Sequence, residues 1–170
     1  DRTPWWLLAL RMLAVAAIIA GLAGPVLNPD EKPAGTGPML LVLDGSWASA
    51  RDWKSQNELA FDLLSEAGRK GREVAILRLT APEKPVFQTA DAWRAQLAGM
   101  GPLPWEPNPV AVLSVLQNMD RTSFETLWLS DGLARAGRLE VLAELETYGA
   151  VQVYESARPV FGLLPADFTN

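Results

Sequence analysis

The 170-residue sequence contains neither cysteine nor histidine. Without cysteine there is no thiol nucleophile and no disulfide, and without either residue there is no zinc site of the usual kind. The lack of histidine also excludes every Ser-His-Asp arrangement. Nor does the sequence contain a glycine-rich phosphate-binding loop or a G-x-S-x-G nucleophile motif. Any chemistry must therefore use hydroxyl, carboxylate, amine, guanidinium or phenol groups.

The sequence is also short of positive charge. It has 15 Lys and Arg against 20 Asp and Glu, for a net charge of −5 and a pI of about 4.8. Sequence-independent nucleic-acid binding needs a basic face that displaces counterions from phosphates. Nucleic acid is therefore not an expected partner.

One long apolar run stands near the start of the chain. Residues 7–27 read LLALRMLAVAAIIAGLAGPVL, with Arg11 as the single charge, and Trp5 and Trp6 precede them as an interfacial aromatic belt would. We predict one transmembrane helix over residues 5–27, embedded in the lipid bilayer, because the run matches the thickness of a membrane. A cleaved signal peptide and a buried core helix are the alternatives.

Positive charges around this run indicate its orientation. Arg2 and Arg11 lie on its amino-terminal side, whereas Lys32 alone follows closely on the other side. The positive-inside rule then predicts the amino terminus in the cytoplasm and the following domain outside. Residues 28–38, NPDEKPAGTGP, are rich in Pro and Gly and predict an extended linker.

Residues 39–156 alternate short apolar runs with amphipathic segments. We predict strands at 39–44, 73–80, 85–88, 126–132 and 150–155, with helices around 60–67, 89–101, 108–119 and 138–148. This alternation predicts an α/β domain of Rossmann-like type, with a mostly parallel sheet and helices on both faces. Trp128, inside a strand, is expected to be a core residue, and residues 157–170 are expected to be a tail leading into a longer chain.

Two aspartates follow predicted strands. Asp44 ends the first strand, with Ser46 two residues later, and Asp131 ends the run TLWLSDG. Ligands bind in α/β sheets beyond the carboxyl ends of the strands. If these two strands are neighbours, both carboxylates should face one crevice beside Ser46. Trp47 and Trp105 fall in loops at the same end and are candidate binding residues, although they could equally pack against the loops.

The strand end DGSWA at residues 44–48, the strand pair at 74–88 and the LSDG strand end resemble a von Willebrand factor A domain. The apolar run TPWWLLALRMLAVAAIIAGLAGPVLNP is similar to a transmembrane helix of bacterial aerotolerance-type (Bat) membrane proteins, which directly precedes such a domain. The resemblance implies a bacterial inner-membrane protein with this domain on the periplasmic side. It also implies a further transmembrane helix upstream of Asp1.

Von Willebrand factor A domains contain a metal-ion-dependent adhesion site. The resemblance implies that some of its residues have counterparts in this sequence. Asp44 and Ser46 match the first two positions of its D-x-S-x-S motif, and Asp131 matches its distal aspartate. The third motif position is Ala48, which cannot ligate, and the expected threonine loop contains only Glu106 as a charged candidate. We therefore expect a degenerate site with no metal and no other cofactor, with magnesium held by Asp44, Ser46 and Asp131 as the alternative.

These features favour a non-catalytic, membrane-anchored module that binds other membrane or periplasmic proteins. The alternatives are an A domain that binds its ligand through magnesium and a metal-assisted hydrolase that uses Asp44 and Asp131. A purely structural domain that positions later parts of a longer chain is a further possibility.

Overall fold

The computed structural model describes residues 5–22, 35, 37–120 and 122–156. The chain divides into two compact units, residues 1–34 and residues 35–170. The predicted tail, residues 157–170, and most of the predicted linker, residues 28–38, lie outside the described residues.

The first unit contains one described helix, α1, Trp5–Leu22. It starts where the transmembrane prediction starts, and the last five residues of that prediction, 23–27, lie outside the described residues. Within the described ranges, no helix combines the length and the apolar character needed to cross a membrane. The transmembrane helix therefore stays a prediction.

The second unit is a five-stranded sheet with a helical layer on each face. Its elements, in chain order, are β1 (Met39–Leu43), a 3₁₀ helix (Trp47–Arg51), α2 (Trp53–Arg69), β2 (Glu73–Arg78), β3 (Gln88–Thr89), α3 (Ala90–Leu97), α4 (Pro109–Gln117), β4 (Glu125–Ser130), α5 (Arg138–Glu146) and β5 (Val151–Glu155). The strand order is β3-β2-β1-β4-β5, and every pair is parallel except β2 with β3. The predicted α/β class with a mostly parallel sheet is confirmed, and the arrangement is compatible with a Rossmann-like fold.

β1 lies at the centre of the sheet, and all five of its residues are buried. Side chains alternate between the two faces of a strand, so one continuous apolar run supplies two cores. Leu41 packs with α2 and α3, whereas Leu40 and Val42 pack with α4 and α5. This double burial fixes the carboxyl end of β1, where Asp44 follows, between β2 and β4.

Several local boundaries differ from the predictions; for example, the helix predicted around residues 60–67 is Trp53–Arg69. The edge strand predicted at 85–88 is instead the two-residue β3, because Pro85 and the residues around it form no ladder and a proline has no N–H to donate to one. The helix predicted to run to about Gly101 ends at Leu97. Asn108 caps α4 as expected, since its side chain accepts a hydrogen bond from the N–H of Ala111 at 3.1 Å.

Candidate functional site

The carboxyl ends of β1 and β4 are neighbours, and they bring the predicted site residues together. Asp44, Ser46 and Asp131 are at most 2% exposed, and the Ser46 hydroxyl donates to Asp131 Oδ2 at 2.6 Å. Turns containing Gly45 and Gly132, with φ of +57° and +79°, follow the two strands. Glycine suits both positions because these dihedrals are strained for other residues.

Both oxygens of Asp44 are hydrogen-bonded inside the protein. Oδ1 accepts from the indole Nε1 of Trp128 at 2.7 Å, and Oδ2 accepts from the backbone N–H of Asp131 at 2.8 Å. Burial, and then the negative charge of Asp131, raise the pKa of Asp44 from 3.8 to about 6, against the lowering effect of these hydrogen bonds. Asp44 thus fastens the end of β4 to the end of β1.

Asp131 is paired with a cation from its own chain. Its Oδ1 accepts from Arg135 Nη1 at 2.7 Å and from the backbone N–H of Leu133 at 3.0 Å. Burial alone would raise the pKa of Asp131, but hydrogen bonds from Arg135 and Ser46 outweigh it and lower that pKa. Burial likewise acts to lower the pKa of Arg135, whereas its bond to Asp131 and the charge of that carboxylate raise it above the usual value.

Arg135 also reaches the other side of the crevice. Its Nη2 donates to the Ser46 hydroxyl at 3.2 Å, and that hydroxyl accepts from the N–H of Ala48 at 3.1 Å. The guanidinium therefore joins the turn after β1 to the turn after β4. Its Nε is buried and has no hydrogen-bond partner among the residues that the structure describes.

The donor set does not fit a magnesium ion. Asp44 uses both oxygens internally, Ser46 and Asp131 are bonded to each other and to Arg135, and position 48 has no oxygen-bearing side chain. Magnesium needs several free oxygen ligands in near-octahedral geometry. Among the residues that the structure describes, no group of three or more acidic side chains could hold a metal ion.

Trp47 and Trp105 lie on the exposed rim of this site. Trp105 is in a loop as expected, whereas Trp47 begins a short 3₁₀ helix that Ser46 caps. Trp47 is 43% exposed and Trp105 is 53% exposed. The indole Nε1 of Trp105 donates to the carbonyl of Thr80 at 2.9 Å, and the N–H of Leu103 donates to the carbonyl of Gly45 at 2.8 Å. These bonds hold the loop of Trp105 against the turn that follows β1, so the indole of Trp105 is fixed at its Nε1 while about half of the residue faces solvent.

A narrow cleft opens beside the site, between α4 and α5. Apolar side chains form most of its wall, and the ring of Trp128 and the side chains of Asp44 and Arg135 also line it. The guanidinium of Arg138 lies over the Trp128 ring at 5.0 Å and pairs with Glu155 at 2.7 Å. Trp128 is a buried core residue as predicted, at 2% exposed.

Sequence reasoning missed the roles of Arg135, Arg138 and the Trp128 indole N–H. The available signal for Arg135 is its place four residues after Asp131, within a segment that starts at a strand end. Spacing alone does not distinguish Arg135 from a solvent-exposed arginine. The loop 131–137 has no regular periodicity that would predict the direction of its side chains.

Comparison with known families gives one match. Residues 1–25 match the BatA family, described as the aerotolerance regulator N-terminal family. The matched region holds the apolar run of the first unit and none of the α/β unit, and it supports a Bat-type, membrane-associated protein. No curated protein matches the chain.

Proposed function

We propose that the protein is a membrane-anchored, non-catalytic module that binds other proteins through the loops at the carboxyl edge of its sheet. The observation that carries the proposal is the closed network of Asp44, Ser46, Asp131 and Arg135. Each carboxylate in it already has two or more internal donors. A general acid, a general base or a metal ligand would need an oxygen free for the substrate or the ion.

In this proposal Arg135 takes the role that a bound cation would have. It neutralises Asp131 at 2.7 Å and joins the two turns, so the loops keep their arrangement without an ion. The adhesion site of the von Willebrand factor A type is then degenerate, with Asp44 and Ser46 retained as structural residues. Binding by the loops would not depend on divalent cations.

The proposed contact surface is the rim that carries Trp47 and Trp105. Tryptophan is enriched among residues that dominate binding energy, and both indoles expose a large apolar area beside loops held by hydrogen bonds. A surface that is already ordered loses less entropy on binding. The partners would be other membrane or periplasmic proteins.

Membrane anchoring through residues 5–27 is supported by the match of residues 1–25 and by the apolar sequence of α1. The bacterial inner membrane is the corresponding location. The distribution of Arg2, Arg11 and Lys32 supports an outward-facing domain.

Site-specific photo-crosslinking in bacterial membranes tests the interaction surface. A photoreactive residue at position 47 or 105 should give discrete adducts with another protein, whereas one at Glu58, which is exposed on α2, should not. Equal adduct yields at all three positions would contradict the proposal.

A magnesium titration tests the proposal that the site works without a metal ion. The fluorescence and the Tm of the wild-type protein should show no saturable change up to about 10 mM magnesium, since an ion that binds the folded state would raise the Tm. Saturable stabilisation would instead support the magnesium-dependent A domain, and phosphate-ester hydrolysis abolished by Asp131→Asn would support the hydrolase.

A further inference from the structure

A buried ion pair lies at the amino ends of the central strands, whereas the candidate site lies at their carboxyl ends. Arg72 immediately precedes β2 and Glu125 is the first residue of β4, so the pair spans the start of β1. Arg72 Nη2 and Glu125 Oε2 are 2.8 Å apart, and the two side chains are 6% and 9% exposed. Gln152 Nε2 donates to the second carboxylate oxygen of Glu125 at 3.1 Å.

The pair binds the stretch of chain that enters β1. Arg72 Nε donates to the carbonyl of Gly37 at 2.6 Å, and the carboxylate of Glu125 accepts from the N–H of Gly35 at 3.1 Å. The carbonyl of Pro38 accepts from the N–H of Glu125 at 3.0 Å and from Arg72 Nη2 at 3.4 Å. Three residues before the sheet are thus held by the two charged residues.

These contacts coincide with the boundary of the domain. The compact unit begins at Gly35, four residues before β1, and not at the first strand residue. A buried ion pair by itself does little for stability, since well-packed apolar residues commonly do as well. What this pair adds is a set of specific hydrogen bonds to backbone groups of Gly35, Gly37 and Pro38.

We propose that Arg72 and Glu125 form a latch that holds Gly35, Gly37 and Pro38 on the domain and so fixes where the tether of the domain begins, a role that rests on the membrane anchoring proposed above. When the latch is closed, the part of the chain held on the domain begins at Gly35. Opening the latch would add four residues, which span up to about 13 Å when extended. Arg72 and Glu125 are thus positioning residues that set the reach of the domain from its anchor. The latch is independent of whether the loops at the carboxyl ends of the strands bind a partner.

Two glycines in the held segment provide a matched test. A Cβ added at Gly35 would lie 2.9 Å from Glu125 Oε2 and 3.3 Å from its Cδ, whereas a Cβ at Gly37 would meet none of the described residues within 4 Å. The carboxylate cannot shift away easily, because Arg72 and Gln152 hold it. Gly35→Ala should therefore open the latch and Gly37→Ala should not.

Hydrogen–deuterium exchange on the full chain measures the opening. In Gly35→Ala the amides of residue 35 and Glu125, which donate to the Glu125 carboxylate and to the carbonyl of Pro38, should exchange about tenfold faster or more, while the rest of β1 and β4 stays protected. Arg72→Lys, which keeps the charge but loses the forked donor, should give the same local rise. Equal exchange in the two glycine variants, or a rise throughout the sheet in Arg72→Lys, would overturn the proposal.

Discussion

Replacing Arg135 with alanine is the most direct perturbation of the site. The change removes a 2.7 Å ion pair with Asp131, whose side chain is fully buried, and a 3.2 Å hydrogen bond to Ser46. Removing one partner of a buried pair costs about 3–5 kcal/mol, because the remaining charge is left without compensation. Asp131 keeps bonds from Ser46 and Leu133, so we expect about 3 kcal/mol.

Urea unfolding at pH 7, followed by tryptophan fluorescence, measures this cost. Arg135→Lys should lose less than Arg135→Ala, since an ammonium keeps the charge but cannot bridge Asp131 and Ser46 as a fork. Arg94→Ala is the matched control: its pair with Asp91 is long, at 3.9 Å, and solvent-exposed, so the loss should stay below about 1 kcal/mol.

The double variant Arg135→Ala/Asp131→Asn separates charge from packing. It should recover part of the loss, because it no longer buries an unpaired carboxylate. If Arg135→Ala unfolds within about 0.5 kcal/mol of the wild type, Arg135 is an ordinary surface arginine, and the reasoning about an internal cation is wrong.

Three further outcomes are expected. The folded-state pKa of Asp44 is raised from 3.8 to about 6. Its contribution to stability should therefore be present below about pH 4 and lost as the pH rises to about 6. Asp44→Asn should flatten the measured dependence of the unfolding free energy on pH over that range. In urea unfolding, Gly137→Ala should cost at least 2 kcal/mol more than Gly132→Ala, roughly the penalty of overpacking. Both glycines have φ of +79°, but only at 137 would the added Cβ lie 2.5 Å from Pro109. Equal losses in the two variants would refute that contact. In a magnesium titration, the Tm of Ala48→Ser should show no saturable rise while Arg135 is present. A saturable rise would show that the missing hydroxyl, not the guanidinium, prevents magnesium binding.

The sheet was predictable because its signals are local and redundant. The apolar run of β1 and its repetition at β4 specify buried parallel strands, and the helices between them carry apolar stripes and caps such as Asn108. The weak point was the edge strand, where Pro85 and the neighbouring loop offer no periodicity and the two-residue β3 depends on pairing with β2. Tertiary context decides such short elements.

The candidate site was predictable only in part. Strand ends locate Asp44 and Asp131, since parallel neighbouring strands bring their carboxyl ends together. Which groups satisfy these carboxylates depends on side-chain direction in an irregular loop, so Arg135 could not be placed. The Trp128 indole was missed for another reason: burial predicted from an apolar strand says nothing about where a ring N–H finds its acceptor.

The order of pairing in the sheet also bears on how the protein folds. β1 pairs with β2 from Met39 to Val74 and with β4 from Met39 to Glu125, so the two pairings close chain segments of 35 and 86 residues. Loop-closure entropy disfavours the longer segment by about 0.8 kcal/mol before any contact compensates. The bond from Trp128 to Asp44 exists only after that longer closure. Formation of this bond therefore marks the pairing of β1 with β4, and a chain interrupted before β4 retains Asp44 without the group that holds it.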